Sequence, residues 1–272
     1  MKVNDLFFEL SNEDRYKLFR KINKKPLRHS DLKNILKIPG PEVSRHIKRL
    51  LKLKLIHKKL DQKFYPTNYG SFINENLDLF ESGTKYINFI NTHHIDAIPK
   101  ELKKDLGLIK KSEFSNQTMF NIEHWSEIIK NAKDFIWAIT DQFQASIIPI
   151  IQQKLSSQKL EIKSILGSDL LNKLVTTEDW EKKVKGKKPD VFQELFETIG
   201  LPENIRKLDL LKLSLTITES SIILFLTDDK GIDYSECIYS SSNKDFIRWG
   251  KKLFNYYWEK AEKIESDELL PK

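Results

Sequence analysis

The 272-residue sequence predicts an α+β chain: a helical start closed by a hairpin, a helical connector, and a C-terminal α/β domain with a mixed sheet. Three observations lead there. Apolar residues recur at three-four spacing through residue 54, then switch to two short runs around the polar tip Asp61-Gln62. The continuous apolar run Phe135-Ile136-Trp137-Ala138-Ile139 marks a strand buried on both faces. The excess of positive charge lies at one end. Residues 1–70 hold 18 Lys and Arg against 7 Asp and Glu, a net of +11 in a chain of net +7, which leaves −4 for the rest.

The first part spans residues 1–70. Leu6, Phe7 and Leu10, then Tyr16, Leu18, Phe19 and Ile22, read as one or two amphipathic helices with an internal start at Ser11-Asn12-Glu13-Asp14. Lys24-Lys25-Pro26 ends them. Ser30 has the N-cap preference for a short second helix through Leu32, Ile35 and Leu36, ending near Lys37. Ile38-Pro39-Gly40-Pro41 is a stiff connector, and Pro41 suits a first helical turn because its missing amide would lack an intrahelical partner anyway. A third helix, residues 41–54, puts Val43, Ile47, Leu50 and Leu51 on one face and Glu42, Arg45, Arg49 and Lys52 opposite, with His46 and Lys48 on its flanks. A hairpin through Lys58, Lys59 and Lys63 follows. Helix, helix, tight turn, helix, hairpin is the order of a winged helix-turn-helix.

Residues 71–132 read as a helical connector broken at Pro99 and Gly107. The last part, residues 133–272, opens with strand 135–139, a helix near 147–155 and strand 160–166, a parallel crossover unit. Leu211, Leu213, Leu215 and Ile217 alternate with polar residues as a half-buried strand does. Glu219-Ser220 turns the chain into Ile222–Leu226, Asp228-Asp229-Lys230-Gly231 into a third strand through Tyr239, and an amphipathic helix from Ser242 to Ile264 closes the domain. Cys237 is the single cysteine, which excludes an internal disulfide and a multi-cysteine zinc site; it reads as a small buried hydrophobe, the alternative being a reactive thiol.

The asymmetric charge points to a polyanionic partner met by one end of the molecule. On the third helix Arg45 and Arg49 are spaced to reach base edges or phosphates in a major groove, with Ser44, His46, Lys48 and Lys52 beside them and Lys58, Lys59 and Lys63 on the wing holding the backbone. The plainer alternative is a solvated basic face. An anionic membrane would ask for a basic helix with bulky apolar residues opposite, and no apolar run reaches the roughly 18–20 residues of a transmembrane helix. With no apolar signal core at the start, a cytoplasmic location is expected.

Pro41-Glu42-Val43-Ser44-Arg45-His46-Ile47-Lys48-Arg49-Leu50 resembles the recognition helix of ArsR-like winged-helix regulators, in which Val-Ser-Arg-His is followed by a basic residue and Leu. Asp245 to Tyr257, with Trp249-Gly250-Lys251-Lys252-Leu253-Phe254, is similar to the end of archaeal regulators of the filamentation and methanogenesis type, where such a stretch follows a strand pair and an Asp-x-Gly turn, here Asp229-Lys230-Gly231. The resemblance implies an archaeal transcription regulator with an α/β effector-type domain. That half also resembles the phospholipase-D-like domains appended to some archaeal regulators. A phosphodiesterase of that type needs His-x-Lys-x4-Asp; His57-x-Lys59 leads to Phe64 and His46-x-Lys48 to Leu53, so the catalytic motif is missing. Metal sensing through the adjacent pair His93-His94 would put two ligands about 100° apart on a helix.

The expectation is a sequence-specific DNA-binding regulator, not an enzyme, with no cofactor and no metal. Its partners would be double-stranded DNA, a second copy of the chain in a homodimer, and a small-molecule effector, with no membrane. An effector pocket is expected beyond the carboxyl ends of the strands, at Thr140, Asp141, Gln142, Gly167 and Ser168; the alternative is loop residues that cap helices. The rival for the whole chain is a winged-helix scaffold for protein contacts.

Overall fold

The computed structural model describes residues 2–142, 147–157, 160–175 and 203–264. It divides into two compact units, residues 1–81 and 82–272. The connector expected over 71–132 is thus shared between the two units.

The first unit begins with α1 (Val3–Leu10) and α2 (Glu13–Lys24). Asn12 caps α2 through its side chain, which accepts from the Arg15 amide at 3.0 Å. α3 is His29–Leu36. Its start lies two residues earlier than an N-cap at Ser30 would set it, because Arg28 takes the cap position and the Asp31 carboxylate accepts from the Arg28 amide at 2.8 Å. α4 is Gly40–Lys52. The wing is β1 (Ile56–Lys58) antiparallel to β2 (Phe64–Pro66), with Leu27 bridged to Phe64. α5 is Asn68–Lys85.

Leu18, Phe19, Ile22, Leu32, Val43, Leu50 and Leu55 are almost fully buried and form the core of this unit. Arg20 ties α2 to α5, donating to the Asn74 carbonyl and side chain at 2.8 and 2.7 Å and pairing with Asp78 and Glu81. Ile35 and Leu51, expected on apolar faces, are instead exposed. Three non-glycine residues take positive φ: Lys37 (56°) between α3 and α4, Lys54 (58°) between α4 and the wing, and Gln62 (65°) in the wing loop. That conformation crowds the Cβ of an L-residue.

The second unit continues with α6 (Ile87–Thr92), α7 (Lys100–Lys103), β3 (Glu113–Ser115) and α8 (Thr118–Asn131), with short 3-10 turns at Ile95–Ala97 and Leu106–Lys111. Then come β4 (Phe135–Thr140), α9 (Ile148–Ser157), β5 (Glu161–Gly167), α10 (Ser168–Val175) and β6 (Ile205–Leu208). β7 (Leu213–Ile217), β8 (Ile222–Asp228), β9 (Gly231–Ile232), β10 (Cys237–Ser240), α11 (Lys244–Lys260) and β11 (Glu262–Lys263) complete the described elements.

These strands form one mixed sheet in the order β11-β6-β5-β4-β7-β8-β10-β3, with β9 on β8. β4, β5 and β6 are parallel; the other pairs are antiparallel. The crossover β4-α9-β5 and the hairpin at Glu219-Ser220 therefore stand where the apolar runs put them. β7 departs from the half-buried strand expected there, since all five of its residues are buried. Leu213, Leu215 and Ile217 face one layer while Thr216, on the other side, accepts from the Trp125 indole of α8 at 2.8 Å. α8, α9 and α10 pack with Ile136, Ile162, Ile223 and Phe225 on one sheet face. α11 packs on the other, where Gly250 brings its backbone so close that a Cβ would lie 2.4 Å from Ile222 Cδ1. The helix ends at Lys260 and the chain joins β6 through β11, so the helix expected to reach Ile264 is shorter by a strand.

Candidate nucleic-acid interface

α4 presents its basic side because its apolar stripe is anchored. Val43, Ile47 and Leu50 are buried against α2 and α3, and Arg45, Lys48, Arg49 and Lys52 are exposed. The two arginines differ from the free pair expected. Arg45 donates to Glu42 one turn before it at 2.8 Å. Arg49 donates to both carboxylate oxygens of Glu9, on α1, at 2.9 and 3.2 Å, and its side chain is 44% exposed. Glu9 also holds Arg15, which is buried, at 3.0 Å. One α1 carboxylate thus serves a buried guanidinium and a surface one.

His46 requires a correction. It was expected on a flank of the helix as a DNA backbone contact, but it is 1% exposed and faces the interior. Neither ring nitrogen has a hydrogen-bond partner among the described residues, and the nearest carboxylate oxygen, of Glu42, is 3.9 Å away. Burial, reinforced by the Arg15 charge, lowers its pKa below the ordinary 6.5, so the ring is neutral near pH 7. Ser44 is half-buried and its hydroxyl meets the His29 ring at 2.8 Å, binding α3 to α4.

The wing is stiffened by its aromatics. His57 and Tyr65 stack at 5.9 Å, Lys59 lies 4.3 Å from the Tyr65 ring centre and Lys58 lies 5.8 Å from that of Phe64. The loop is longer than the expected two-residue turn. Lys59 and Lys63 pair through their backbones at 3.0 Å, leaving Leu60-Asp61-Gln62 between them, and the Gln62 amide donates to the Lys59 carbonyl at 3.0 Å. Asp61 accepts from the Tyr65 hydroxyl at 2.8 Å and the Lys63 amide at 3.1 Å, which lower its pKa.

The second expected site lies at the ends of neighbouring parallel strands. Thr140 ends β4 and Asp141 and Gln142 follow it, Gly167 ends β5 and Ser168 opens α10, with Thr140 opposite Leu166. A Cβ on Gly167 would lie 3.5 Å from that of Asp141. Thr140 is buried and its hydroxyl donates to the Gln142 carbonyl at 2.7 Å. Asp141 accepts from Tyr234 at 2.5 Å, and Ser168 donates to Asp209 at 2.7 Å. Tyr234 and Asp209 carry no signal in the sequence, since they come from segments remote from both strands. Burial pushes the Tyr234 hydroxyl well above its ordinary pKa.

Cys237 is buried, donates to Asn121 at 3.4 Å, and its thiol is pushed up to about 12 by burial, so it is protonated and shielded. His93 meets the Phe89 carbonyl at 2.9 Å and Asp233 at 3.3 Å, while His94 faces Asp229 at 3.3 Å. The adjacent histidines therefore turn to different carboxylates. No helix among the described residues is long and apolar enough to cross a membrane.

Comparison with known proteins matches one family and several solved structures, among them the two that follow. The family described as the methanogenesis regulatory protein FilR1, middle domain, matches residues 121–260. The structure of TrmBL2, described as an archaeal chromatin protein with a novel mode of DNA binding, aligns over 93% of this chain and 94% of its own, at 17% identity and a TM-score of 0.41. The crystal structure of a phosphatidylserine synthase from Haemophilus influenzae Rd KW20 aligns over 55% of this chain and 37% of its own, at 13% identity and a TM-score of 0.36. No curated protein matches the chain. The family match runs from within α8 to the end of α11, just over half of the sequence, and on that ground the chain belongs to the FilR1 middle-domain family.

Proposed function

We propose that the chain is a sequence-specific DNA-binding transcriptional regulator that docks α4 in the major groove. The observation that carries this reading is the exposed row Arg45, Lys48, Arg49 and Lys52 on a helix anchored on its other side by buried Val43, Ile47 and Leu50. The lysines of the wing, Lys58, Lys59 and Lys63, extend the row, in a segment of net +11. A winged helix kept for protein contacts has no need of that charge. Membership in a regulatory-protein family fits the same reading, with the second unit pairing subunits, sensing an effector, or both.

Two copies would bring two α4 helices about 34 Å apart, one turn of DNA. The exposed rings of Phe7 and Phe80, which meet edge to face at 6.2 Å on α1 and α5, support a second copy as partner. Thr140, Asp141, Gln142, Gly167 and Ser168 form the effector site in this reading. The chemistry there is hydrogen bonding from hydroxyls and carboxylates, and the chain has no catalytic role.

Fluorescence anisotropy of the full chain against its own upstream DNA and a scrambled duplex, across a salt series, tests the proposal. Salt-sensitive binding with a preference for the native duplex of about a hundredfold or more is expected. Absence of binding to either duplex at low salt would overturn it.

A further inference from the structure

We propose that Leu60, at the apex of the wing, is an apolar wedge that enters the minor groove of duplex DNA and opens a base step. This rests on the DNA-binding reading above and adds to it a residue, a groove and a deformation.

Leu60 is 100% exposed, more than any other large apolar side chain among the described residues. A leucine placed in water with no packing partner is normally free to be replaced, yet here the loop is built to hold it out. Lys59 and Lys63 close the loop through their backbones, and Asp61 fastens it by accepting from the Lys63 amide and the Tyr65 hydroxyl. The Gln62 side chain donates to the Leu60 carbonyl at 3.3 Å. Gln62 itself adopts the left-handed conformation that lets a three-residue loop close. Below the loop the His57–Tyr65 stack and the two lysine–ring contacts stiffen the hairpin. The tip is therefore a single leucine on a braced stalk.

Charge identifies the occupant. Lys58, Lys59 and Lys63 flank the leucine in sequence on the same hairpin, and the Asp61 carboxylate is engaged by the Lys63 amide and the Tyr65 hydroxyl of its own loop. A lipid surface would call for a broad apolar face; one leucine among three lysines suits a narrow polyanionic groove. Proteins that insert Leu, Phe or Ile between base steps unstack them, kink the duplex toward the major groove and gain contact area in return. Pyrimidine–purine steps such as TA open most easily, so the wedge would prefer A·T-rich sequence containing them.

The test uses the full chain and a short A·T-rich duplex with a central TA step, labelled at both ends for energy transfer. Wild type should bend the duplex and raise the transfer. Leu60→Ala should lose the bend and bind about tenfold more weakly (about 1.4 kcal/mol). Leu60→Lys adds a charge and should bind by anisotropy yet leave the duplex straight, whereas Leu60→Phe should keep the bend. Because the side chain is fully exposed, all three variants should melt like wild type, which circular dichroism checks. Wild type that binds without bending, or Leu60→Lys that bends as wild type does, would overturn the wedge and leave the DNA reading standing. Wild type that binds no duplex at low salt would overturn both. Binding to anionic vesicles that Leu60→Ala abolishes, with DNA bending unchanged in that variant, would move the residue to a membrane.

Discussion

If the proposed function holds, replacing Glu9 by Gln should tighten DNA binding, although Glu9 lies on α1 and not on α4. Its carboxylate occupies Arg49 at 2.9 Å, so in the proposed complex Arg49 must leave Glu9 or share it with a phosphate. With Arg49 44% and Glu9 17% exposed, the bridge is screened and its loss costs up to about 1 kcal/mol. A carboxylate about 7 Å from a DNA phosphate adds about 0.6 kcal/mol of repulsion in a water-like dielectric. Together these give about 1–1.5 kcal/mol, or about tenfold tighter binding, and one more available cation should steepen the salt slope by about 0.9.

The same change weakens the grip on Arg15, which Glu9 holds through its other oxygen at 3.0 Å. The Arg15 Nε still donates to the Glu9 backbone carbonyl and a glutamine oxygen can still accept, so the stability cost stays near about 2 kcal/mol. Anisotropy below the melting midpoint, on native and scrambled duplexes, reads the affinity. Glu13→Gln is the control. It makes the same change in net charge at an exposed pair with Lys17 on α2 and should leave affinity nearly unchanged. Equal effects of the two variants would refute the argument, because the gain would then be a matter of overall charge and Arg49 would not be at the DNA.

Three further outcomes follow from the geometry. Gly70→Ala would put a Cβ 1.9 Å from the Leu55 carbonyl oxygen and should destabilise the first unit by about 2–3 kcal/mol, lowering its thermal midpoint by about 10–20 °C; Gly83→Ala, in the same helix with nothing within 4 Å, should stabilise by about 0.5–1 kcal/mol. His46 has a lowered pKa, so below its ordinary 6.5 the unfolded chain takes up a proton that the folded one refuses, and stability should fall as the pH drops through that range; the urea midpoint of wild type should fall between pH 7 and 5.5, and that of His46→Leu should change less. Arg45→Ala should cost about 1–3 kcal/mol on the native duplex alone if it reads a base, against a smaller, sequence-independent loss for Lys63→Ala, measured by anisotropy on both duplexes.

Much of the architecture was legible because each element buries a regular stripe. The crossover strands and the Glu219-Ser220 hairpin are short apolar runs with strong boundaries, and α4 has a clean three-four repeat. Two of the misreadings share a cause, which is a polar residue in a buried position. His46 sits at the i+3 position of the stripe Val43, Ile47, Leu50, and a histidine there looks like the edge of the polar face. Thr216 looks solvent-facing until the Trp125 indole supplies its partner, 91 residues away in sequence. The candidate interface was legible as a basic row, but not the carboxylates that occupy it. Glu9 meets Arg49 across 40 residues, and no local spacing carries that pairing. The same holds for Tyr234 and Asp209 beside Asp141 and Ser168. The three-residue wing loop was missed because Gln62 is an uncommon choice for a left-handed position.

The three left-handed residues fall at the joints of the first unit, between α3 and α4, between α4 and the wing, and within the wing loop. Glycine would relax each joint, yet two of the three are lysines. Relaxing Lys37 and Lys54 would remove two positive charges from a segment of net +11. Under the proposed function, ease of folding and attraction for a polyanion therefore pull in opposite directions at the same positions. A thermally hardened version of this unit, selected for melting temperature alone, would drift toward a weaker grip on the proposed DNA partner.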